Sequence, residues 1–468
     1  MNTKMTRVEK DLIGSRELPA DALYGIQTLR GMENFPISGS RLYDYPLFIK
    51  GIAMTKEAAA EANAQLGLIP ESIKEAIVKV CREIVEGSWH QEFCIDMIQG
   101  GAGTSTNMNA NEVIANRALV LMGHHPGEYE YCSPHDHVNC SQSTNDVYPT
   151  AIHLGLYASH LELLPVLKAL IAACEQKSVE FADILKMGRT QLEDAVPMTL
   201  GQTFGAYASI LRHEVDLLNK AAEDFLIVNM GATAIGTGVC SVDGYSEACI
   251  AALRQITGWE VRLADDLVGA TSDTSCMVGY SAALKRLSVK LSKICNDLRL
   301  LASGPRCGLA EINLPAMQPG SSIMPGKVNP VIPEVMNQIC FKVIGNELCV
   351  TMAGEAAQME LNAMEPVMAQ CCFESIKLLM HGMETLRLRC IEGITANADH
   401  CRDEVRHSIG TVTALNPFIG YDKATEIAQE ALATGKSVYQ LVLEKGIMDQ
   451  KELDRVLQPE NMIHPQKK

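Results

Sequence analysis

A short segment between residues 320 and 330 contains the residue types best suited to chemistry on a carboxylate. Its sequence is GSSIMPGKVNP, which supplies the hydroxyls of Ser321 and Ser322, the ammonium group of Lys327 and the amide of Asn329. The glycines and prolines disfavour a helix or a strand, so the segment is predicted to be a mobile loop. Hydroxyl, amide and ammonium donors in one loop indicate a site that binds a carboxylate.

The glycines and the lysine of this loop also invite comparison with a phosphate-binding P-loop, whose pattern is G-x-x-x-x-G-K-[ST]. Here one residue too many separates Gly320 from Gly326, and Val328 occupies the position where Ser or Thr would bind magnesium. The sequence therefore argues against a nucleotide site.

Two further polar segments precede this loop: GGAGTSTNMN at 100–109 and SQSTND at 141–146. The first offers free backbone N–H groups and the hydroxyl of Thr104, although glycine-rich segments are usually simple turns. The second places Ser143, Thr144 and Asn145 together, a composition typical of a helix N-cap. Capping and anion binding are compatible, because a helix N-terminus has free N–H groups and a positive dipole end.

The three segments, in this order and at this spacing, resemble the signature blocks of the fumarase/aspartase superfamily, lyases that release fumarate from a succinyl-type substrate. The resemblance extends over nearly the whole chain, from Tyr24 to the MIHP segment at 462–465. It implies an all-α, three-domain protomer whose long central helical bundle assembles into the multi-helix core of a homotetramer. It also implies that three different subunits contribute the three blocks of each active site.

The same resemblance implies roles for individual residues. Ser321 would be the general base that takes the Cβ proton, Thr104 a ligand of the β-carboxylate, and Lys327 a ligand of the α-carboxylate oriented by Asn329. A neutral serine is a poor base, so backbone N–H groups and a cation must stabilise its alkoxide. The substrate is expected to be a small dicarboxylate or amino acid; no cofactor is required, and activation by a divalent metal is left open. The remaining residues expected to bind substrate are Ser143, Thr144, Asn145, Gln191 and Ser322.

One position distinguishes branches of the superfamily. Fumarases have His after Gly-Arg-Thr, paired with a Glu that corresponds to Glu334, whereas this chain has Gln191. Glutamine cannot titrate, so no His–Glu proton relay is available and Glu334 is expected to keep only a structural hydrogen-bonding role. Aspartases tolerate Gln here, and the run KMGRTQLEDAVPMTLGQ resembles theirs in particular, which implies elimination of ammonia from L-aspartate through an enediolate. The alternatives are a class II fumarase, a lyase of argininosuccinate or adenylosuccinate, and a catalytically inactive structural relative or helical assembly module.

Composition narrows the remaining function classes. The net charge of −16 argues against nucleic acid as a partner. That overall charge also opposes a dicarboxylate, so the site needs local cations, for which Lys327, Arg30 and Arg189 are candidates. The sixteen cysteines include no C-x-x-C pair and no H-E-x-x-H motif occurs, which argues against zinc and disulfides and for a reducing cytosol.

Hydropathy and periodicity complete the expected organisation. No apolar h-region opens the chain, and the apolar window at 154–174 is interrupted by charged residues, so a cytoplasmic location without a membrane span is expected. Leucines recurring every three or four residues between Leu284 and Leu301 predict a long helix, and Ile339, Val343 and Ile344 fit a second. The predicted domains are a mixed helical and loop domain at 1–140, a helix bundle at 141–397 and a small helical domain at 398–468.

Overall fold

The computed structural model describes residues 5–463, and 63% of the chain is helical, which confirms the predicted all-α class. Five helices exceed twenty residues, and the others are shorter connecting or packing elements. The helices are α1 (Ile26–Asn34), α2 (Pro46–Gln65), α3 (Glu71–Val85), α4 (Thr104–Leu121), α5 (Thr144–Glu180), α6 (Leu200–Ala222), α7 (Tyr245–Thr257), α8 (Leu267–Ser272), α9 (Ser275–Leu301), α10 (Val331–Glu355), α11 (Glu365–Arg389), α12 (Ala398–His407), α13 (Asn416–Ile419), α14 (Tyr421–Thr434), α15 (Val438–Glu444), α16 (Gln450–Val456) and α17 (Pro459–Met462).

The strands form only two-stranded sheets in the described part of the chain. Two are antiparallel hairpins, β1–β2 and β3–β4, and two are short pairs, β5 with β6 in parallel and β7 with β8 antiparallel. The sequence patterns did not predict either hairpin. The strands are β1 (Thr6–Asp11), β2 (Gly14–Pro19), β3 (Leu185–Thr190), β4 (Glu193–Thr199), β5 (Ile227–Val228), β6 (Arg262–Leu263), β7 (Ile312–Asn313) and β8 (Thr395–Ala396).

The chain divides into two compact units. The first comprises residues 1–164, 216–288 and 341–379, and the second comprises 165–215, 289–340 and 380–468. Each of the five longest helices contributes residues to both units, so this division does not follow consecutive segments of the chain. The predicted three-domain division therefore stays a prediction.

The long helices form where the sequence repeats apolar residues at helical spacing. Leu284, Leu287, Leu291 and Leu298 are all fully buried along α9, which confirms the helix predicted there. On α10 the buried face includes Val343, while Ile339 and Ile344 are only half-buried at its margin. A stripe three or four residues apart lies on one helix face, and its burial stabilises the helix.

Each unit has its own apolar core. In the first unit, side chains of α2, α5 and α7 pack together around Met54, Leu154 and Leu253. In the second unit, residues near the C-terminus form a cluster around Leu415, Leu441 and Leu453, with α15 and α16 capped by the side chains of Ser437 and Asp449.

Helix α5 is long and apolar enough to cross a membrane by length and composition, in contrast to the interrupted apolar window noted in the sequence. The core helix of a soluble protein meets the same criterion, and α5 is packed into the core described above. All sixteen cysteines are free thiols, as the sequence predicts, and ten of them are buried.

Candidate active site

The segment with the sequence GSSIMPGKVNP forms an irregular loop that ends where α10 begins. Within it, the backbone N–H groups of Ile323 and Met324 donate hydrogen bonds to Ser321 Oγ, at 3.2 and 2.8 Å. Hydrogen bonds to the ionised form of a group favour that form. The loop therefore directs two donors at the serine oxygen, where an alkoxide would develop.

Glycine is required where the loop closes on itself. The Gly320 N–H donates to the Lys327 carbonyl at 2.7 Å, and the Asn329 amide donates to the Gly320 carbonyl at 2.7 Å. A Cβ at position 320 would lie only 2.7 Å from the Asn329 backbone nitrogen. Asn329 thus fixes the base of the loop; the orienting contact with the Lys327 side chain expected from the sequence is not among its hydrogen bonds within residues 5–463.

The three candidate cations differ in how they are paired. Lys327 is exposed and forms no ion pair with any described residue. Arg30 binds Asp11 through Nε and Nη2, at 2.6 and 2.8 Å, and this guanidinium lowers the pKa of Asp11 to about 2. Arg189 pairs with Glu311 and with Glu404. Both arginine charges are already compensated, so Lys327 is the only one of the three available to a substrate anion.

The segment at 100–109 leads into the start of α4. Gly101, Ala102 and Gly103 all have positive φ, at 90°, 53° and 90°, and Gly103 precedes the first residue of the helix, Thr104. A Cβ at position 103 would lie 2.4 Å from the ring of Tyr148 on α5, so only glycine fits there. The exposed Thr104 hydroxyl donates to the Gly101 carbonyl at 2.8 Å and must rotate away before it can donate to a carboxylate.

The segment at 141–146 caps α5, as its composition predicts. Ser143 Oγ accepts from the Asn145 N–H at 3.3 Å, and the Asp146 carboxylate accepts from the Ser143 N–H at 2.9 Å. The Asn107 amide, in the first turn of α4, donates to Thr144 Oγ at 3.2 Å. The N-termini of α4 and α5 are therefore joined in the first unit, and their free N–H groups form an electropositive surface suited to a carboxylate.

A buried polar network holds these two helix ends together. Asn139 Oδ1 accepts from the amides of Asn107 and Asn111, both at 3.1 Å, and from the ammonium group of Lys56 at 3.1 Å. Lys56 also donates to Gln142 Oε1 at 2.8 Å and is fully buried on α2. Burial lowers the pKa of Lys56 to about 7, an effect that the nearby Asp146 carboxylate opposes.

Asp146 connects the start of α5 to the loop after β5 through hydrogen bonds. Its carboxylate is fully buried and accepts from the N–H groups of Gly231 and Thr233, at 3.0 and 3.1 Å. Desolvation raises the pKa of Asp146 to about 6, although these hydrogen bonds and Lys56 act in the opposite direction. The acid and the lysine together form a buried pair of opposite charges behind the capped helix end.

Gln191 lies at the exposed tip of the β3–β4 hairpin, in the second unit. Gln191 and Leu192 form its two-residue turn and both have positive φ, 57° and 68°, a conformation that β-hairpins favour but that side chains other than glycine and asparagine rarely adopt. The fully buried Glu311 carboxylate pairs with Arg189, close to the turn, and at 3.0 Å with Lys186, near the start of β3. Ion pairs with Glu311 thus hold strand β3 in place next to a strained turn.

Glu334 lies in the first turn of α10, where its negative charge complements the helix dipole. Its side chain makes no hydrogen bond with another described residue, so the structural hydrogen bond expected for it has no partner there.

The structure brings the predicted site residues into separate groups. Thr104, Ser143, Thr144 and Asn145 share the first unit, whereas Gln191 and the Ser321 loop belong to the second. Lys56 and Asn139 support the helix ends but were not among the residues predicted from the sequence. No sequence signal marks Lys56, since a lysine in an alanine-rich run such as GIAMTKEAAAEA is usually exposed to solvent.

Comparison with known proteins places these features in a family. The chain matches a family model described as lyase over residues 14–345, and a second model, described as fumarase C C-terminus, over residues 412–464. Proteins named aspartate ammonia-lyase from Pseudomonas aeruginosa and Escherichia coli are 56% and 53% identical, each over 98% of this chain and 97% and 96% of their own lengths.

Solved structures agree with the sequence comparison. A structure titled fumarate lyase:delta crystallin from Brucella melitensis bound to cobalt superposes with a TM-score of 0.96, is 51% identical and covers 98% of this chain and 100% of its own. A recombinant class II fumarase from Schistosoma mansoni superposes with a TM-score of 0.93 at 33% identity, covering 99% of this chain and 100% of its own. The chain belongs to the fumarase/aspartase family of lyases, which confirms the predicted membership.

Proposed function

We propose that this protein is an aspartate ammonia-lyase, which eliminates ammonia from L-aspartate to give fumarate. The observation that carries the proposal is the near full-length identity of 53–56% to proteins of that name. The class II fumarase, by contrast, is 33% identical. An inactive structural relative is disfavoured because Ser321, Lys327 and Asn329 are all present in one loop.

The reaction begins with removal of a proton from Cβ of the substrate, next to a carboxylate, which produces an enediolate. Ser321 is the proposed base, and the N–H groups of Ile323 and Met324 support its ionised form. Such donors contribute most when they are already aimed at the developing charge, because they need not reorient during the reaction. A neutral serine is a poor base, and these backbone donors help it to act as one because they stabilise its alkoxide.

The substrate carboxylates need local positive potential, since the protein as a whole carries a charge of −16. The proposed sources are Lys327, for the α-carboxylate, and the joined N-termini of α4 and α5, for the β-carboxylate. Thr104, Ser143, Thr144 and Asn145 begin these helices, so their side chains lie beside the free N–H groups. Ser322 is proposed to add a further hydroxyl from the loop.

Gln191 is the proposed reason that ammonia leaves rather than water. An amide neither accepts nor donates a full proton at physiological pH, so this position binds substrate without relaying a proton. The ammonium group of aspartate departs as ammonia without the proton that a hydroxide leaving group requires. The chemistry of Gln191 therefore fits an amine substrate better than a hydroxy acid.

The active form is proposed to be a cytoplasmic homotetramer in which the three blocks of one site come from different subunits. Apolar side chains lie exposed on one stripe of α10, at Phe341, Leu348 and Met352, with 59–64% of each side chain accessible in the protomer. Their spacing of seven and four residues places them on one helix face. A stripe of this kind is suited to pack against a second copy of the chain. No cofactor is required in this proposal.

The test is a substrate comparison with the purified full-length protein and no added cofactor. Fumarate, followed by its ultraviolet absorbance, should form from L-aspartate together with an equal amount of ammonia, and barely form from L-malate. Faster turnover of malate than of aspartate would refute the assignment and favour a fumarase.

A further inference from the structure

A cavity of about 260 Å³ lies in the first compact unit, beside the first turns of α5. Its walls include Pro149 and His153 from α5, Asp273 and Cys276 at the start of α9, and Glu365, the first residue of α11. Three helices thus direct polar side chains into one small space.

The walls of the cavity include three acidic side chains and no cationic side chain beside them. Asp224, Asp273 and Glu365 line it, and no lysine or arginine is among its lining residues. His153 is neutral: its Nδ1–H donates to the Ile227 carbonyl at 2.9 Å, and its Nε2 accepts from the Cys276 thiol at 3.1 Å. Burial lowers the pKa of His153 to about 4, which keeps the ring uncharged at physiological pH.

Glu365 is the unusual member of this group. It is only 3% exposed, and its carboxyl group forms no hydrogen bond or ion pair with any residue between 5 and 463. Burial raises the pKa of Glu365 from its ordinary value of 4.5 to about 8. A buried polar group without a partner is costly, and native proteins retain one where a ligand, ion or water completes it.

The acidic side chains that line the cavity determine which kind of ligand could bind there. Carboxylates attract a cation and repel any molecule that carries its own carboxylate. No group of three or more His, Cys, Asp and Glu side chains in the described chain is placed to hold a metal ion. A cation that donates hydrogen bonds suits isolated acceptors better, because each N–H pairs with one acceptor and no coordination shell is needed.

We propose that this cavity binds an ammonium ion, with the Glu365 carboxylate as its counter-ion. On binding, the neutral carboxylic acid of Glu365 loses its proton to solvent and the carboxylate accepts a hydrogen bond from the ammonium ion, so that one cation is exchanged for one proton. The Asp273 carboxylate contributes long-range attraction. The inference does not rest on the proposed reaction, since it concerns binding to the free protein without substrate.

Isothermal titration calorimetry tests the proposal on the full-length protein, with ammonium chloride as the titrant and tetramethylammonium chloride balancing the ionic strength. At about pH 7, where Glu365 is protonated, binding should release about one proton per protomer. The release is measured as a difference in heat between phosphate and Tris buffers. At about pH 9.5 the acid is already ionised and much of the titrant is free ammonia, so forming the bound ammonium ion should take up a proton, and the difference in heat between two buffers that titrate near this pH should change sign.

Two variants assign the signal to this cavity. Glu365→Gln keeps the size of the neutral acid but cannot become an anion, so it should fold normally, bind ammonium at least tenfold more weakly and release no proton. Glu360→Gln removes an exposed carboxylate five residues earlier and should bind like the wild type. Unchanged binding in Glu365→Gln, absence of binding in the wild type, or equal proton release with potassium chloride would each overturn the proposal.

Discussion

Replacement of Ser321 by alanine tests the centre of the proposed mechanism. The serine oxygen accepts hydrogen bonds from Ile323 and Met324, and alanine removes this acceptor without changing the backbone. Because the loop is accessible to solvent, water can replace the lost acceptor, and the free energy of unfolding should fall by less than about 1 kcal/mol. The variant should therefore fold and assemble like the wild type.

The effect on catalysis should be far larger. A positioned general base contributes roughly a hundredfold to ten-thousandfold to the rate, and each factor of ten corresponds to about 1.4 kcal/mol of activation free energy. The Ser321→Ala variant should thus lose about 2.7–5.5 kcal/mol of transition-state stabilisation. Its KM for L-aspartate should change little, because the hydroxyl contributes little to ground-state binding.

Steady-state kinetics with L-aspartate separate the two effects. Ser322→Ala is the matched control, since it removes the neighbouring hydroxyl of the same loop and should raise KM more than it lowers kcat. If Ser321→Ala kept more than about a tenth of the wild-type kcat, another group would have to be the base. Circular dichroism should show the same helical content in both variants.

Three further predictions follow from the supporting structure. Ser321→Ala and Thr144→Val, each inactive alone, should regain activity at roughly a quarter of sites when co-assembled, and hetero-oligomers without activity would contradict shared sites. Gly103→Ala should lower the free energy of unfolding, measured in urea, by about 2–4 kcal/mol, because φ is 90° and the new Cβ would lie 2.4 Å from an aromatic ring. Gly101→Ala has the same φ but no contact closer than 3.8 Å, so it should lower that free energy by about 1 kcal/mol. Burial lowers the pKa of Lys56 from 10.5 to about 7, so between these two pH values the unfolded chain binds more protons than the folded protein. The free energy of unfolding of the wild type should therefore rise with pH over this range. Lys56→Met should remove that rise, and an equal rise in the variant, measured by urea unfolding, would assign it to other groups.

The helical fold could be predicted because its signal is repeated many times. Leu284, Leu287, Leu291 and Leu298 of α9 recur at helical spacing, and these four are buried in the structure. The two hairpins could not be predicted in the same way. The β3–β4 turn consists of Gln191 and Leu192, where Asn-Gly or Asp-Gly would be the recognisable pattern. What surrounds this turn instead is the pairing of β3 with β4 and the ion pair of Arg189 with Glu311 close to it.

The family could be predicted from the resemblance of three short blocks, and the comparisons confirm it. The activity was predicted from the same resemblance, and the names of the relatives support it. The roles of the individual site residues stay predictions. The donors to Ser321 Oγ could not have been inferred from sequence, because they are backbone groups placed by the loop conformation. Glu365 likewise gave no signal, since only the packed structure shows that a glutamate at a helix start is enclosed without a cation.

The exposed stripe on α10 bears on how the protein would be handled after synthesis. The same helix starts directly after the loop that contains Ser321, and it carries Phe341, Leu348 and Met352 on its surface. If sites are completed only by assembly, a newly made protomer is both inactive and marked by apolar surface of the kind that chaperones and proteases recognise. Assembly would then switch on activity and hide the degradation signal in one event, so that cells would retain only competent enzyme.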